Sequence, residues 1–126
     1  MDEVAISIPD GSERILLAGL ESYGPFYRLP ESGGVNRFAF WAVEKHADGA
    51  KSVAHGVLLG FTEGAMTAVA GVIVSLSCDF GGEAEVGECI EAHVKVVRTT
   101  RSLVFLTAEL TADGRIIQTA NGLARV

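Results

Sequence analysis

The chain has 126 residues, 48% of them apolar and 21% charged, with a mean hydropathy of +0.33 and three prolines. This composition excludes a disordered or collagen-like polymer and suits a single domain spanning 1–126. Ten Lys and Arg stand against 16 Asp and Glu, a net charge of −6, which is the wrong sign for a protein that neutralises nucleic-acid phosphates.

The N-terminus, Met1-Asp2-Glu3, is acidic where a secretory signal is basic, so no export is expected. Asp10 and Glu13 have capping-box spacing, and Ile15, Leu16 and Leu20 make an apolar stripe up to the turn at Gly24-Pro25. The spacing predicts a short helix over about 10–23. Arg37 to Val43, with Phe38, Phe40 and Trp41, reads as the first long strand. The polar stretch 44–55, which includes His46 and Asp48, reads as a loop, with His46 on the surface.

Val57 to Ser77 carries one charge, Glu63, and Gly56, Gly60 and Gly64 recur every four residues. That row resembles the packing face of a membrane helix. The carboxylate near its middle, the lack of aromatic or basic flanks and the β-branched run after Gly71 favour a buried helix over about 56–70 feeding a strand. The glycine row is then expected to let the helix approach a sheet closely. Downstream, Val72–Cys78, Cys89–Val97, Leu103–Thr111 and Arg115–Val126 read as strands, the last two joined by the hairpin signal Asp113-Gly114. In Cys89–Val97, Glu91, His93 and Lys95 form a wet face. Four strands in a meander over one buried helix predict an α+β fold with a largely antiparallel sheet of five to six strands.

Glu63 on an otherwise apolar helix is expected to be desolvated, with its pKa raised toward the range of a general base, unless it reaches solvent or an arginine. Thr67, one turn on, is placed to orient it. Lys95, Arg98 and Arg101 lie within one short stretch with Thr99, Thr100 and Ser102 and no acid, a pattern suited to a phosphate-bearing ligand or to a solvated basic hairpin. Phe38, Phe40, Trp41 and Phe61 can shape an acyl pocket or simply fill the core. Cys78 and Cys89 lack metal-ligand spacing, so no metal site is expected and both fit ordinary thiols in a reducing cytosol.

A helix wrapped by an antiparallel sheet, a polar loop before it, and the run Gly87-Glu88-Cys89-Ile90-Glu91-Ala92, then Arg98 to Leu103, then Asp113-Gly114-Arg115 together resemble a hotdog-fold acyl-CoA thioesterase. The type is that of phenylacetate degradation (PaaI-like), in the 4-hydroxybenzoyl-CoA thioesterase superfamily. The motif of that family is an asparagine, five residues, His-Gly-Gly, six residues and an aspartate. Laid on without gaps, it puts Asp48 at the asparagine, Ala54-His55-Gly56 at His-Gly-Gly and Glu63 at the aspartate, with only Gly56 identical. A gapped placement sets His55-Gly56 on the first two motif residues; the ungapped one places both carboxylates. The resemblance implies hydrolysis of an acyl- or aryl-CoA thioester, with Glu63 as base or nucleophile and the amides of His55 and Gly56 as oxyanion donors. It also implies Arg98, Thr99, Thr100, Arg101 and Ser102 against coenzyme A, which is part of the substrate and not a resident cofactor. The implied assembly is a cytoplasmic homodimer or homotetramer with sites at the subunit interface, binding neither nucleic acid nor membrane. The alternative is a hotdog module that binds acyl-CoA or a lipid-like ligand without hydrolysing it.

Overall fold

Every strand in the structure, a computed structural model describing residues 9–126, joins one antiparallel sheet. The strands are β1 (Glu13–Ile15), β2 (Phe26–Ser32), β3 (Val35–Trp41), β4 (Ile73–Phe80), β5 (Cys89–Thr99), β6 (Leu103–Ala112) and β7 (Arg115–Arg125), and the helix α1 is His55–Ala70. Their order across the sheet is β1-β2-β3-β5-β6-β7-β4.

The helix forms where the apolar run predicts it, and it stops at Gly71, whose φ of 97° suits glycine and whose N–H closes on the Thr67 carbonyl at 2.9 Å. Val57, Leu58, Phe61, Thr62, Ala65 and Met66 turn inward. They meet the even-numbered face of the central strands, including Phe38, Phe40, Ile90, Val94, Leu106 and Leu110. Phe26, Phe40 and Phe61 form the centre of this core, with ring centroids 4.8–5.7 Å apart. The opposite face carries Arg37, Glu91 and His93. As expected for the wetter side, these are only half-buried and linked, with His93 Nε2 2.9 Å and Arg37 3.5 Å from one Glu91 oxygen.

Four sequence expectations change. No helix forms over 10–23: Gly11 and Gly19 take φ values of +87° and +84°, which interrupt helical backbone, and Glu13 pairs with Arg28 in β1. Helical structure there is limited to one 3-10 turn at Glu21–Tyr23. The sheet has seven strands among the described residues, more than the expected five or six, the additions being β1 and β2. β2 turns into β3 through Gly33-Gly34, both at positive φ, and its Pro30 sits where the register shifts, a place in a sheet that tolerates proline. Nor do the last four strands form a simple meander. β5, β6 and β7 do, but β4 crosses to the far side of β7 and becomes an edge.

The glycine row also faces the other way. A Cβ on Gly60 would meet Leu20 at 3.2 Å, and one on Gly64 would meet Leu17 at 3.0 Å, so these glycines receive the N-terminal segment on the side of α1 away from the sheet. Close helix–sheet approach depends instead on Gly122 in β7, where a Cβ would fall 2.6 Å from the Met66 sulfur. Gly56 has nothing within 4 Å. Among the described residues no helix is long and apolar enough to cross a membrane.

Candidate active site

The loop before α1 is built by backbone bonds. Ala47 bridges to Val53 and Ser52 to Glu85, while the Val53 N–H donates to the Ala84 carbonyl at 2.7 Å. Arg115 secures the opposing segment, its guanidinium donating to both Glu88 carboxylate oxygens at 2.9 and 3.1 Å and to the Glu83 carbonyl at 2.8 Å. That contact holds the Glu88 carboxyl below the usual carboxylate range.

Where this loop ends, α1 begins. Ala54 precedes it in extended conformation, and its carbonyl accepts from the amides of Val57 and Leu58. The His55 and Gly56 amides have no partner among the described residues, as befits the first turn of a helix, where unpaired N–H groups and the helix dipole present positive charge. Both residues are exposed, and a Cβ on Gly56 would meet nothing within 4 Å. The exposed imidazole of His55 lies flat on Phe80, centroids 4.0 Å apart and planes at 2°, with Nε2 3.8 Å from a Glu83 oxygen. The Phe80 contact joins β4 to the helix start, and no motif in the sequence announced it.

Glu63 is not isolated in apolar surroundings. It lies on the exposed outer face of α1, without an ion pair or hydrogen bond among the described residues, because the apolar positions of the helix are used by the sheet on the other side. Thr67 is exposed too and makes no bond to it. Gly56 and Glu63 are seven residues apart, hence nearly aligned on that outer face and separated by about 10 Å along the axis.

Asp48 is exposed, its carboxylate accepting from the Ala50 N–H at 3.2 Å beside Gly49 at positive φ. It shapes its own turn. The basic stretch lies elsewhere. Thr100 spends its hydroxyl within the β5–β6 turn, donating to the Leu103 carbonyl and accepting from the Leu103 amide. Arg98 lies over the Phe105 ring at 5.7 Å, while Lys95, Thr99, Arg101 and Ser102 are exposed. The Ser102 carbonyl holds Val126, and Arg125 holds Val72, so this turn borders the C-terminal end of α1. Within one chain, then, the unpartnered amides of His55 and Gly56 and the basic turn sit at opposite ends of β5, roughly 30 Å apart at strand rise.

His46, expected on the surface, is 2% exposed. Burial pushes its pKa below the ordinary histidine value, and the Lys45 charge adds to this against the opposing effect of its backbone bonds. Of the four candidate pocket aromatics, Phe38, Phe40 and Phe61 are core, whereas Trp41 lines a shallow groove on the opposite face with Tyr27, Arg37 and Cys89. The Cys89 thiol, pushed up to about 11 by burial and by Glu91 and Asp113, is no nucleophile at neutral pH. No cluster of metal-ligating side chains occurs among the described residues.

The family model for the acyl-CoA thioesterase N-terminal domain matches residues 38–125. No curated protein matches the sequence. Among solved structures, an asparagine-to-aspartate mutant of the phenylacetic acid degradation protein PaaI from Thermus thermophilus superposes with a TM-score of 0.75 at 20% identity, covering 84% of this chain and 96% of that one. A hypothetical thioesterase with coenzyme A from Streptococcus pneumoniae gives 0.73 at 12%, covering 80% and 85%. The PaaI protein of the E. coli phenylacetic acid degradation operon gives 0.72 at 14%, covering 80% and 82%. At these identities the likeness shows a shared fold.

Proposed function

The chain belongs to the acyl-CoA thioesterase family and has the PaaI-like hotdog fold, and from that premise we propose that it hydrolyses an acyl- or aryl-CoA thioester to coenzyme A and the free acid. The observation that carries this reading is the pair of unpartnered amides at His55 and Gly56, two exposed residues at the start of α1. Donors of this kind stabilise a carbonyl oxygen as it becomes negative.

In the reaction, the Glu63 carboxylate takes a proton from water as the oxygen bonds to the thioester carbon, and the two amides receive the oxyanion. Collapse of the tetrahedral intermediate breaks the C–S bond, and the proton held by Glu63 passes to the departing thiolate. One helix cannot easily bring all these groups to one carbonyl, given the roughly 10 Å from Gly56 to Glu63. The reading therefore pairs Glu63 of one subunit with residues 48–56 of another in a homodimer or homotetramer, with Arg98, Thr99, Arg101 and Ser102 against coenzyme A. The unpaired edge of β4, with exposed Val74 and with Val72 just before it, offers a surface for such pairing.

Asp48 favours a second reading. An asparagine can donate to a substrate or hold a water, whereas an ionised aspartate only accepts, so a module that binds acyl-CoA without turnover fits this position. Release of free thiol from a panel of acyl- and aryl-CoA substrates separates the two: turnover supports the enzyme, and binding of coenzyme A by calorimetry without turnover supports the module.

Gly56→Ala tests the open donor surface. Alanine in the helix raises stability by up to about 1 kcal/mol because it narrows the conformational freedom of the unfolded backbone, and nothing within 4 Å opposes its methyl. The same methyl stands where the substrate approaches, so kcat/KM is expected to fall while the thermal midpoint rises. Loss of stability together with activity would contradict this placement.

A further inference from the structure

His46, buried beside the loop that leads into the helix, has no part in the proposed reaction. The Val43 N–H donates to its Nδ1 at 2.9 Å, so Nδ1 carries no proton. Nε2, 2.7 Å from the Tyr23 carbonyl, which can only accept, must carry it. The tautomer is thus set by two backbone groups from separate segments. The ring packs on Phe40 at 4.8 Å between centroids, and Phe40 in turn meets Phe61 of α1. The backbone of His46 completes the link: its carbonyl accepts from the Ala54 amide at 2.9 Å, and Ala54 is the residue whose carbonyl receives the first bonds of the helix.

We propose that His46 is a positioning residue for the oxyanion donors: its neutral ring, fixed between Val43 and Tyr23, holds the turn that sets Ala54 and thereby aims the His55 and Gly56 amides. The inference rests on the thioesterase reading for its catalytic meaning, but the linkage itself is structural.

A proton added at Nδ1 would face the Val43 N–H donor to donor, and the turn would have to open. The charged and titratable neighbours give the cation no support. Lys45 beside it is positive and donates to the Gly24 carbonyl at 2.6 Å, Tyr23 offers its carbonyl and a ring 6.3 Å away, and the facing residues of β3 and α1 are Phe40 and Phe61. Glu44 and Glu21 are exposed, and no carboxylate pairs with the ring among the described residues. Because the native state binds the proton less readily than the unfolded chain, the stabilisation is complete above the unfolded value of about 6.5 and declines as pH falls toward the lower folded value.

The test follows ring and backbone nitrogens by NMR in the full chain, in a His55→Ala background so that the exposed imidazole does not contribute. The ring should show the Nε2–H tautomer with a midpoint below 6.5, and the Gly56 amide resonance should move with that same midpoint. A Gly56 amide indifferent to His46, or an Nδ1–H tautomer, would overturn the proposal. In the enzyme with His55 intact, His46→Asn, which keeps an acceptor toward Val43, should retain more kcat than His46→Phe. His46→Phe should lose about tenfold or more with KM little changed, and both should lack the component of the acid-side profile that shares the NMR midpoint of His46. Equal kcat in all three also overturns it. Absence of hydrolysis in the wild type, with the NMR linkage intact, would remove the thioesterase reading and leave the positioning role standing.

Discussion

Glu63→Gln is expected to lower kcat for thioester hydrolysis by about 10²–10⁴-fold, the contribution typical of a positioned general base. Fold stability should scarcely change. Glu63 is on the outer face of α1 and has no bonding partner among the described residues, so its substitution belongs with surface changes that stay within about 0.5 kcal/mol. Glu63→Asp keeps the charge but withdraws it by one methylene and should fall between wild type and glutamine. The measurement is initial rate of free-thiol release alongside a thermal melt of each variant. A glutamine variant retaining more than a tenth of the wild-type rate would assign the base to another group.

The largest stability loss should come from Phe61→Ala. Phe61 is fully buried, stacked on Phe26 at 5.7 Å and edge-on to Phe40 at 4.8 Å. Truncation removes its burial and leaves a cavity among rings that cannot collapse into it, a loss of about 3–5 kcal/mol. Against a total of roughly 5–15 kcal/mol for a domain, that is a large share, and a chemical-denaturation midpoint should show it. Because Phe40 also carries the His46 ring, the damage extends to the loop before the helix. A loss under about 1 kcal/mol would mean that the aromatic cluster is less rigid than its geometry implies.

How far the sequence announces this molecule depends on whether a signal is local. The helix is legible because its long apolar run closes on Gly71, and β5 to β7 because alternation and Asp113-Gly114 are local patterns. The spacing of Asp10 and Glu13 is local as well, yet it lost to backbone needs at Gly11 and Gly19 and to pairing with β2, which lies well downstream. β2 itself was hidden by Pro30, whose tolerance depends on a register shift that only the partner strand reveals. Sheet order is similarly non-local, and so β4 could not be placed beside β7.

The site divides along the same line. The spacing of residues 48, 54–56 and 63 is visible through family resemblance, and the helix start does present open amides. Which face of the helix Glu63 takes was not legible, since a helix apolar on nearly all sides gives no direction until the sheet and the N-terminal segment claim theirs. The burial of His46 is not legible, because a histidine amid polar residues reads as solvated. Its burial comes from Tyr23 and Phe40, neither of which is a sequence neighbour.

The contact of Leu17 with Gly64, and of Leu20 with Gly60, carries a consequence for how this chain can drift. At 3.0 Å, the space above Gly64 is already filled by a leucine, so a methyl gained on the helix has to displace Leu17 by a few tenths of an ångström or be matched by one lost from the segment crossing it. Positions 17 and 64 should therefore behave as a compensating pair among descendants of this chain: alanine at 64 accompanied by valine or smaller at 17, and leucine at 17 accompanied by glycine at 64. In that sense the small-residue row records the shape of another part of the chain, and substitutions on either side are read by selection together.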